Sequence, residues 1–86
     1  MTKKRIAIIC GGPGSEHEVS CVSGGGVLSG IDQELFEPIL IGITKLGKWV
    51  LLEKDYPLTI QNGLMPVINE NDTNLELVDN GILING

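Results

Sequence analysis

Arg5-Ile-Ala-Ile-Ile-Cys-Gly-Gly-Pro-Gly-Ser-Glu-His-Glu18 is the stretch on which the fold turns. Arg5–Cys10 is a continuous apolar run without strict alternation, which predicts a strand buried on both faces, as in parallel sheets. Gly11-Gly12-Pro13-Gly14 ends that strand sharply. Ser15-Glu-His-Glu18 then has the pattern of a capping box, with Ser15 as the N-cap and Glu18 reaching back to its amide. Glu16 and Glu18 in the first turn also suit the positive end of a helix dipole. Strand, glycine-rich turn and helix start are thus written in fourteen residues.

Downstream, Val19, Val22, Gly26, Val27 and Ile31 are spaced as the inward stripe of that helix. Gly24, Gly25, Gly26 and Gly30 each cost about 0.8–1 kcal/mol against alanine in a helix interior. Together they exceed the roughly 0.5–2 kcal/mol that a good N-cap returns. The helix must therefore be held by packing, with glycine on its inner face letting it lie close to a sheet; the alternative is a break near Ser23. Asp32–Leu35 is a turn, and Phe36–Ile43 is the second strand, with Pro38 tolerable near its start or on an edge. Strand, helix and strand make a right-handed parallel βαβ unit. Thr44–Gly47 turns into Lys48–Leu52, a hairpin extension of the second strand. Asn62-Gly63 and Asn80-Gly81 are hairpin-turn dipeptides. Leu64–Ile68, Leu75–Val78 and Ile82–Ile84 are short strand candidates, and Asn69–Asn74 is a polar loop. The fold class is α/β, a partial Rossmann-like βαβ unit with parallel strands plus a β-hairpin.

Composition narrows the function. With 42% apolar and 20% charged residues in 86, the chain is globular rather than disordered. Mean hydropathy is +0.20, yet no apolar run approaches the roughly 20 residues of a spanning helix. Ile6–Cys10 is too short for a signal-peptide core, and two cysteines set up no disulfide framework. The expected location is cytoplasmic. A net charge of −5, with one Trp, one Tyr and one Phe, argues against nucleic acid as a partner. All of that net charge sits in residues 51–86, where Lys54 faces six acids. A lone βαβ unit cannot cover its own faces, so the chain reads as a piece of a larger fold or as one that pairs with a partner.

The glycine-rich turn is where α/β folds hold phosphates and substrates. As a dinucleotide fingerprint it fails: His17 stands where the third glycine belongs, and the second strand ends in Gly42-Ile-Thr44 without an acid for the ribose. No Gly-Lys-Ser/Thr follows to make a P-loop. Cys10, His17 and Cys21 lie close in sequence but lack a second ligand pair, so no metal site is assigned; they are expected to be two core cysteines and a surface histidine. Nothing marks a Cys–His nucleophile. Glu16 has two open roles, accepting bonds from a substrate ammonium or compensating the helix dipole.

Lys4–Ser20 with its Gly-Gly-x-x-x-Glu-His-Glu-Val-Ser pattern, Ser23, and Phe36–Trp49 with Gly-Ile-Thr-Lys-x-Gly-x-Trp resemble the start of the D-alanine–D-alanine ligases. The resemblance covers residues 3–52 and thins beyond them. It implies an ATP-grasp ligase with a Rossmann-like first domain. Such an enzyme makes D-Ala-D-Ala for peptidoglycan through an acyl phosphate, with ATP and Mg²⁺ (or Mn²⁺). It also implies that Glu16, as catalytic and substrate-binding residue, holds the ammonium of the first D-alanine, while Val19 packs near its methyl. Ser20 belongs to the same signature and is assigned to helix support.

On this resemblance, residues 1–86 are an incomplete N-terminal substrate-binding domain, and the ATP-grasp domains belong to the remainder of the ligase chain. No cofactor is expected on these residues, and the segment alone is expected to be inactive. D-alanine and a second copy, as a homodimer, are the implied partners. Gly24-Gly25-Gly26 departs from the small helix-favouring residues usual there. The rival readings are a non-catalytic βαβ binding or interaction module, a D-alanine–D-lactate or D-alanine–D-serine relative, and a Rossmann-type nucleotide binder.

Overall fold

In the computed structural model, which describes residues 3–71, 73–78 and 81–85, β1 (Lys4–Gly11) and β2 (Phe36–Ile43) run parallel, in register from Lys4↔Phe36 to Gly11↔Ile43. Between them in sequence lies α1 (His17–Gly30), unbroken at Ser23. β3 (Trp49–Leu52) pairs antiparallel with β2, giving the order β1-β2-β3. β4 (Asn74–Val78) and β5 (Gly81–Asn85) form a separate antiparallel pair. The expected βαβ unit and hairpin are therefore present. Pro38 sits in the central strand, opposite Ile6; β3 pairs only from Leu40 onward, so at Pro38 the strand has a neighbour on one side alone. The Thr44–Gly47 turn closes with Thr44 N–H donating to the Lys48 carbonyl (2.8 Å) and Lys48 N–H to Thr44 Oγ1 (3.0 Å).

β1 is not buried on both faces: Ile8 and Cys10 are buried on the side that α1 covers, while Ala7 and Ile9 on the other side are exposed. Three further expectations of the fold need correction. The first is the helix start. The N-cap is Glu16, not Ser15, and it makes no side-chain cap bond; Ser15 lies exposed in the preceding turn. Ser20 N–H donates to the Glu16 carbonyl at 2.8 Å. Glu18, instead of reaching back as a capping partner, pairs with Lys45 Nζ at 3.4 Å.

The second is the helix face. His17, Cys21 and Gly24 are the buried residues of α1, with Leu28 packed against the same core, while Val19 and Val27 are 53% and 57% exposed. Close approach decided this over hydrophobicity. A Cβ on Gly24 would lie 2.8 Å from the Cys10 Cβ, so the helix rests on β1 at a distance that only glycine permits. Gly25 is not solvent-facing either, since a Cβ there would meet the Leu58 carbonyl oxygen at 2.8 Å.

The third is the strand expected at Leu64–Ile68. Asn62 (φ 53°) and Gly63 (φ 76°) do make a left-handed two-residue turn, with Gln61 and Leu64 exchanging backbone bonds of 3.0 and 2.8 Å. Beyond that single bridge the chain is irregular. Pro66 has no N–H to donate. The neighbouring peptide groups are bound to side chains: Tyr56 Oη donates to the Val67 carbonyl (2.7 Å), and Ile68 N–H donates to His17 Nε2 (3.0 Å). Leu75–Val78 and Ile82–Ile84 fall within β4 and β5 as expected. Asn80 of the second turn dipeptide and Asp72 of the polar loop lie outside the described residues.

Ile8, Cys10, Cys21, Leu40, Val50, Leu52, Leu58 and Ile68 form one core cluster. Cys10 and Cys21 are free thiols within it. Burial, reinforced by the adjacent Cys21, pushes the Cys10 thiol up from 9.0 to about 11; burial also raises Cys21.

The Gly24 contact predicts that Gly24→Ala lowers stability by roughly 1–3 kcal/mol through overpacking. Gly25→Ala should fall on the same side. Gly26, with open space around it, should behave oppositely, Gly26→Ala gaining about 0.4–1 kcal/mol. Urea midpoints of the three variants check this ordering. The Cys10 thiol adds a pH signature. Folding keeps it protonated, so the stability this provides is complete below pH 9.0 and drains away as pH rises toward about 11. The difference in stability between the parent chain and Cys10→Ala, followed from pH 8 to 11, should shrink or reverse across that window.

Candidate functional site

Because β1 and β2 are parallel and in register, their carboxyl ends, Gly11 and Ile43, finish side by side, the place where α/β sheets present their ligand crevice. Gly12 N–H donates to the Ile43 carbonyl at 2.8 Å. Gly11 has φ +98°, and a Cβ on it would collide with the Ile43 oxygen. Only glycine lets the strand leave the sheet here. Ser20 ties this end to α1: Gly11 N–H donates to its Oγ at 2.9 Å. Its role is thus to fasten the strand end to the helix rather than to support the helix itself.

His17 is the largest revision. It is fully buried, at 0% exposure, not a surface histidine. Its Nε2 accepts the Ile68 N–H at 3.0 Å, so the ring proton belongs to Nδ1, which donates to the Gly12 carbonyl at 2.7 Å. The signal was present in the sequence: His17, Cys21, Gly24 and Leu28 are themselves spaced as a helical stripe. Reading histidine as polar and glycine as neutral hid it.

Glu16 and Val19 stand exposed at the start of α1. No hydrogen bond or ion pair engages the Glu16 carboxylate among the described residues, whereas the nearby Glu18 is taken by Lys45. The turn thus offers an unpaired anionic acceptor, suited to a cationic donor. It does not suit a phosphate. The Gly11 and Gly12 amides are already bound to Ser20 and Ile43, and Glu16 adds repulsion. No metal-binding group of three His, Cys, Asp or Glu exists among the described residues. Cys10, His17 and Cys21 do not make one, because both ring nitrogens are engaged in hydrogen bonds and both thiols are packed in the apolar core. A groove of about 510 Å³ is lined by Glu37–Leu40 and Leu51–Asp55 at the opposite end of β2. It takes no part in this site.

The chain matches the family model described as D-ala D-ala ligase N-terminus over residues 5–81. It is 51% identical over 55 residues to the D-alanine--D-alanine ligase of Bifidobacterium longum (strain DJO10A), covering 64% of this chain and 14% of that protein. To the D-alanine--D-alanine ligase of Mycolicibacterium smegmatis (strain ATCC 700084 / mc(2)155) it is 44% identical over 69 residues, covering 79% and 18%. The crystal structure of the VanG D-Ala:D-Ser ligase from Enterococcus faecalis superposes with a TM-score of 0.58 at 41% identity, over 63% of this chain and 16% of that one. The chain therefore spans less than a fifth of the length of these relatives. No helix among the described residues is long and apolar enough to cross a membrane. Since the family match runs from the second residue of β1, through the Gly11–Gly14 turn and α1, to the first residue of β5, this chain belongs to the D-ala D-ala ligase N-terminus family.

Proposed function

We propose that this chain is the N-terminal part of an ATP-dependent D-alanine–D-alanine ligase and supplies half of the pocket for the first D-alanine. The observation that carries the reading is the Glu16 carboxylate, exposed and without a partner among the described residues, beside the turn that closes two parallel strands. An α-ammonium donating to Glu16 is kept protonated, so that amine has no lone pair to attack with. The carboxylate of the same D-alanine is left as the group to be activated. Val19, exposed on the next turn of α1, packs near the methyl. The intact enzyme converts that carboxylate to an acyl phosphate at the expense of ATP, and the amine of a second D-alanine displaces phosphate. ATP and Mg²⁺ (or Mn²⁺) belong to the remainder of the ligase chain, since the amides of this turn are engaged and its carboxylate opposes phosphate.

Residues 1–86 act as a substrate-binding domain that works only with that remainder, in the bacterial cytoplasm, in peptidoglycan synthesis and hence cell shape. A homodimer is the proposed assembly. The VanG likeness supports a second reading at the other subsite, D-serine in place of the second D-alanine, with the same use of Glu16.

Glu16→Gln keeps shape and an acceptor oxygen but removes the charge. A charge-assisted bond contributes about 1.5–3 kcal/mol, so in the intact ligase the KM for the first D-alanine should rise about tenfold to a hundredfold. Nucleotide KM should stay put. A role limited to the helix dipole would instead cost about 0.3–1 kcal/mol of stability and leave KM alone. Steady-state kinetics resolving the two D-alanine sites, run beside thermal melts, distinguish the two. The 86-residue chain alone should release no phosphate from ATP with D-alanine and Mg²⁺; release above background would overturn the assignment of nucleotide chemistry to the rest of the enzyme.

A further inference from the structure

We propose that His17 is a positioning residue for the first-substrate site: locked as its Nδ1–H tautomer, it clamps the Gly11–Gly14 turn to the Pro66–Ile68 segment and so fixes where the adjoining Glu16 carboxylate stands. The inference rests on the reading of Glu16 as the ammonium acceptor and adds the device that holds it.

Among the described residues the Glu16 carboxylate has no bond, so its position is that of its backbone, which Ser20 N–H holds on the helix side at the Glu16 carbonyl (2.8 Å) and which the turn holds on the other. The turn upstream is intrinsically loose, with Gly12 and Gly14 at φ +103° and +101° and open space around both. Upstream of Glu16, between the Gly12 amide and Gly14, the short bond is the one from His17 Nδ1 to the Gly12 carbonyl, at 2.7 Å; the His17 N–H to Gly14 carbonyl contact is long, at 3.5 Å.

The other nitrogen reaches 51 residues along the chain to Ile68. Ile68 is seated on the strand ends: its side chain is what a Cβ on Gly11 would meet at 3.1 Å and on Gly42 at 2.6 Å. Tyr56 grips the same segment from its other side, donating to the Val67 carbonyl and accepting the Asn69 N–H. The imidazole therefore connects a loose turn to an anchored segment. It needs a donor and an acceptor at opposite corners of one rigid ring, fully buried. Asparagine can copy the Nδ1 position and glutamine the Nε2 position, but neither copies both.

Nitrogen-15 NMR of the labelled 86-residue chain reads the tautomer directly. The expected result is a protonated Nδ1, an unprotonated Nε2 and a slowly exchanging Ile68 amide; an Nε2–H tautomer or an imidazolium at neutral pH would overturn the clamp. In the intact ligase, His17→Gln keeps the Ile68 bond and frees the turn, so the first-site D-alanine KM should rise about tenfold. Nucleotide KM should not change, and kcat should stay within about twofold. His17→Asn keeps the turn bond and should recover most of the wild-type KM.

A purely structural histidine would lower the melting temperature in both variants and leave the KM of the folded enzyme unmoved. Glu16→Gln is run alongside. If it raises KM while both His17 variants retain the parent value, the His17 inference fails alone. If Glu16→Gln leaves KM unchanged, the substrate reading fails and takes the positioning role with it.

Discussion

A neutral imidazole without solvent contact joins two parts of this chain that lie far apart in sequence. On one side is the glycine turn that ends β1; on the other is an irregular segment more than forty residues downstream of the sheet's first strand. Removing either partner would leave a buried polar group unpaired, at about 1–3 kcal/mol. The rest follows from accommodating that ring. With His17 inward, the phase of α1 is set, Cys21 and Gly24 come to face β1, and the valines turn to solvent. The helix also cannot begin with the sequence's own capping box, because the chain is still turning inward at Ser15 and Glu16.

Gly24 shows how an unpromising sequence becomes a stable element. A helix with four glycines in fourteen residues is weak by propensity. Here the missing side chain is the contact, allowing the helix backbone to approach the Cys10 side chain closer than any alanine would. Dispersion and the burial of Ile8, Cys10 and Cys21 replace intrinsic helicity. The cost is sensitivity: the surface that holds the helix tolerates no added methyl, and the glycine that faces solvent does nothing for it.

Much of this architecture was legible in the residues. Arg5–Cys10 and Phe36–Ile43 were legible as strands, though not the one-sided burial of β1, with Ile8 and Cys10 inward and Ala7 and Ile9 exposed, and the glycines after Cys10 had to turn the chain. The Thr44–Trp49 hairpin followed from its spacing. What the sequence hid were interactions in which side chains take over backbone roles. Leu64–Ile68 has strand composition, yet its peptide groups answer to His17 and Tyr56. Ser15 and Glu18 have capping chemistry, yet one is left exposed in the turn and the other meets Lys45. At the site, Glu16 was legible as a polar residue of a helix start, whereas Val19, spaced with the inward stripe, stands exposed. His17 was not, because a histidine between two glutamates looks like surface until its partner, 51 residues away, is known.

The polar loop makes the same point at the other edge of the sheet. β3 ends the β1-β2-β3 order, and an open strand edge invites pairing with another chain. Here Leu51 N–H donates to Thr73 Oγ1 (2.8 Å), Asn71 Nδ2 donates to the Leu51 carbonyl (2.9 Å), and Lys48 pairs with Glu70 (2.8 Å). Side chains of a loop thus stand in for a fourth strand. A strand at Leu64–Ile68 paired on both sides would have consumed both groups of the Val67–Ile68 peptide in ladders. Ile68 N–H would then be unavailable to His17, and the Val67 carbonyl unavailable to Tyr56. The irregularity of this segment and the fixing of the glycine turn are therefore one physical fact. Backbone groups left out of regular pairing are what allow two distant side chains to hold the mouth of the sheet in place.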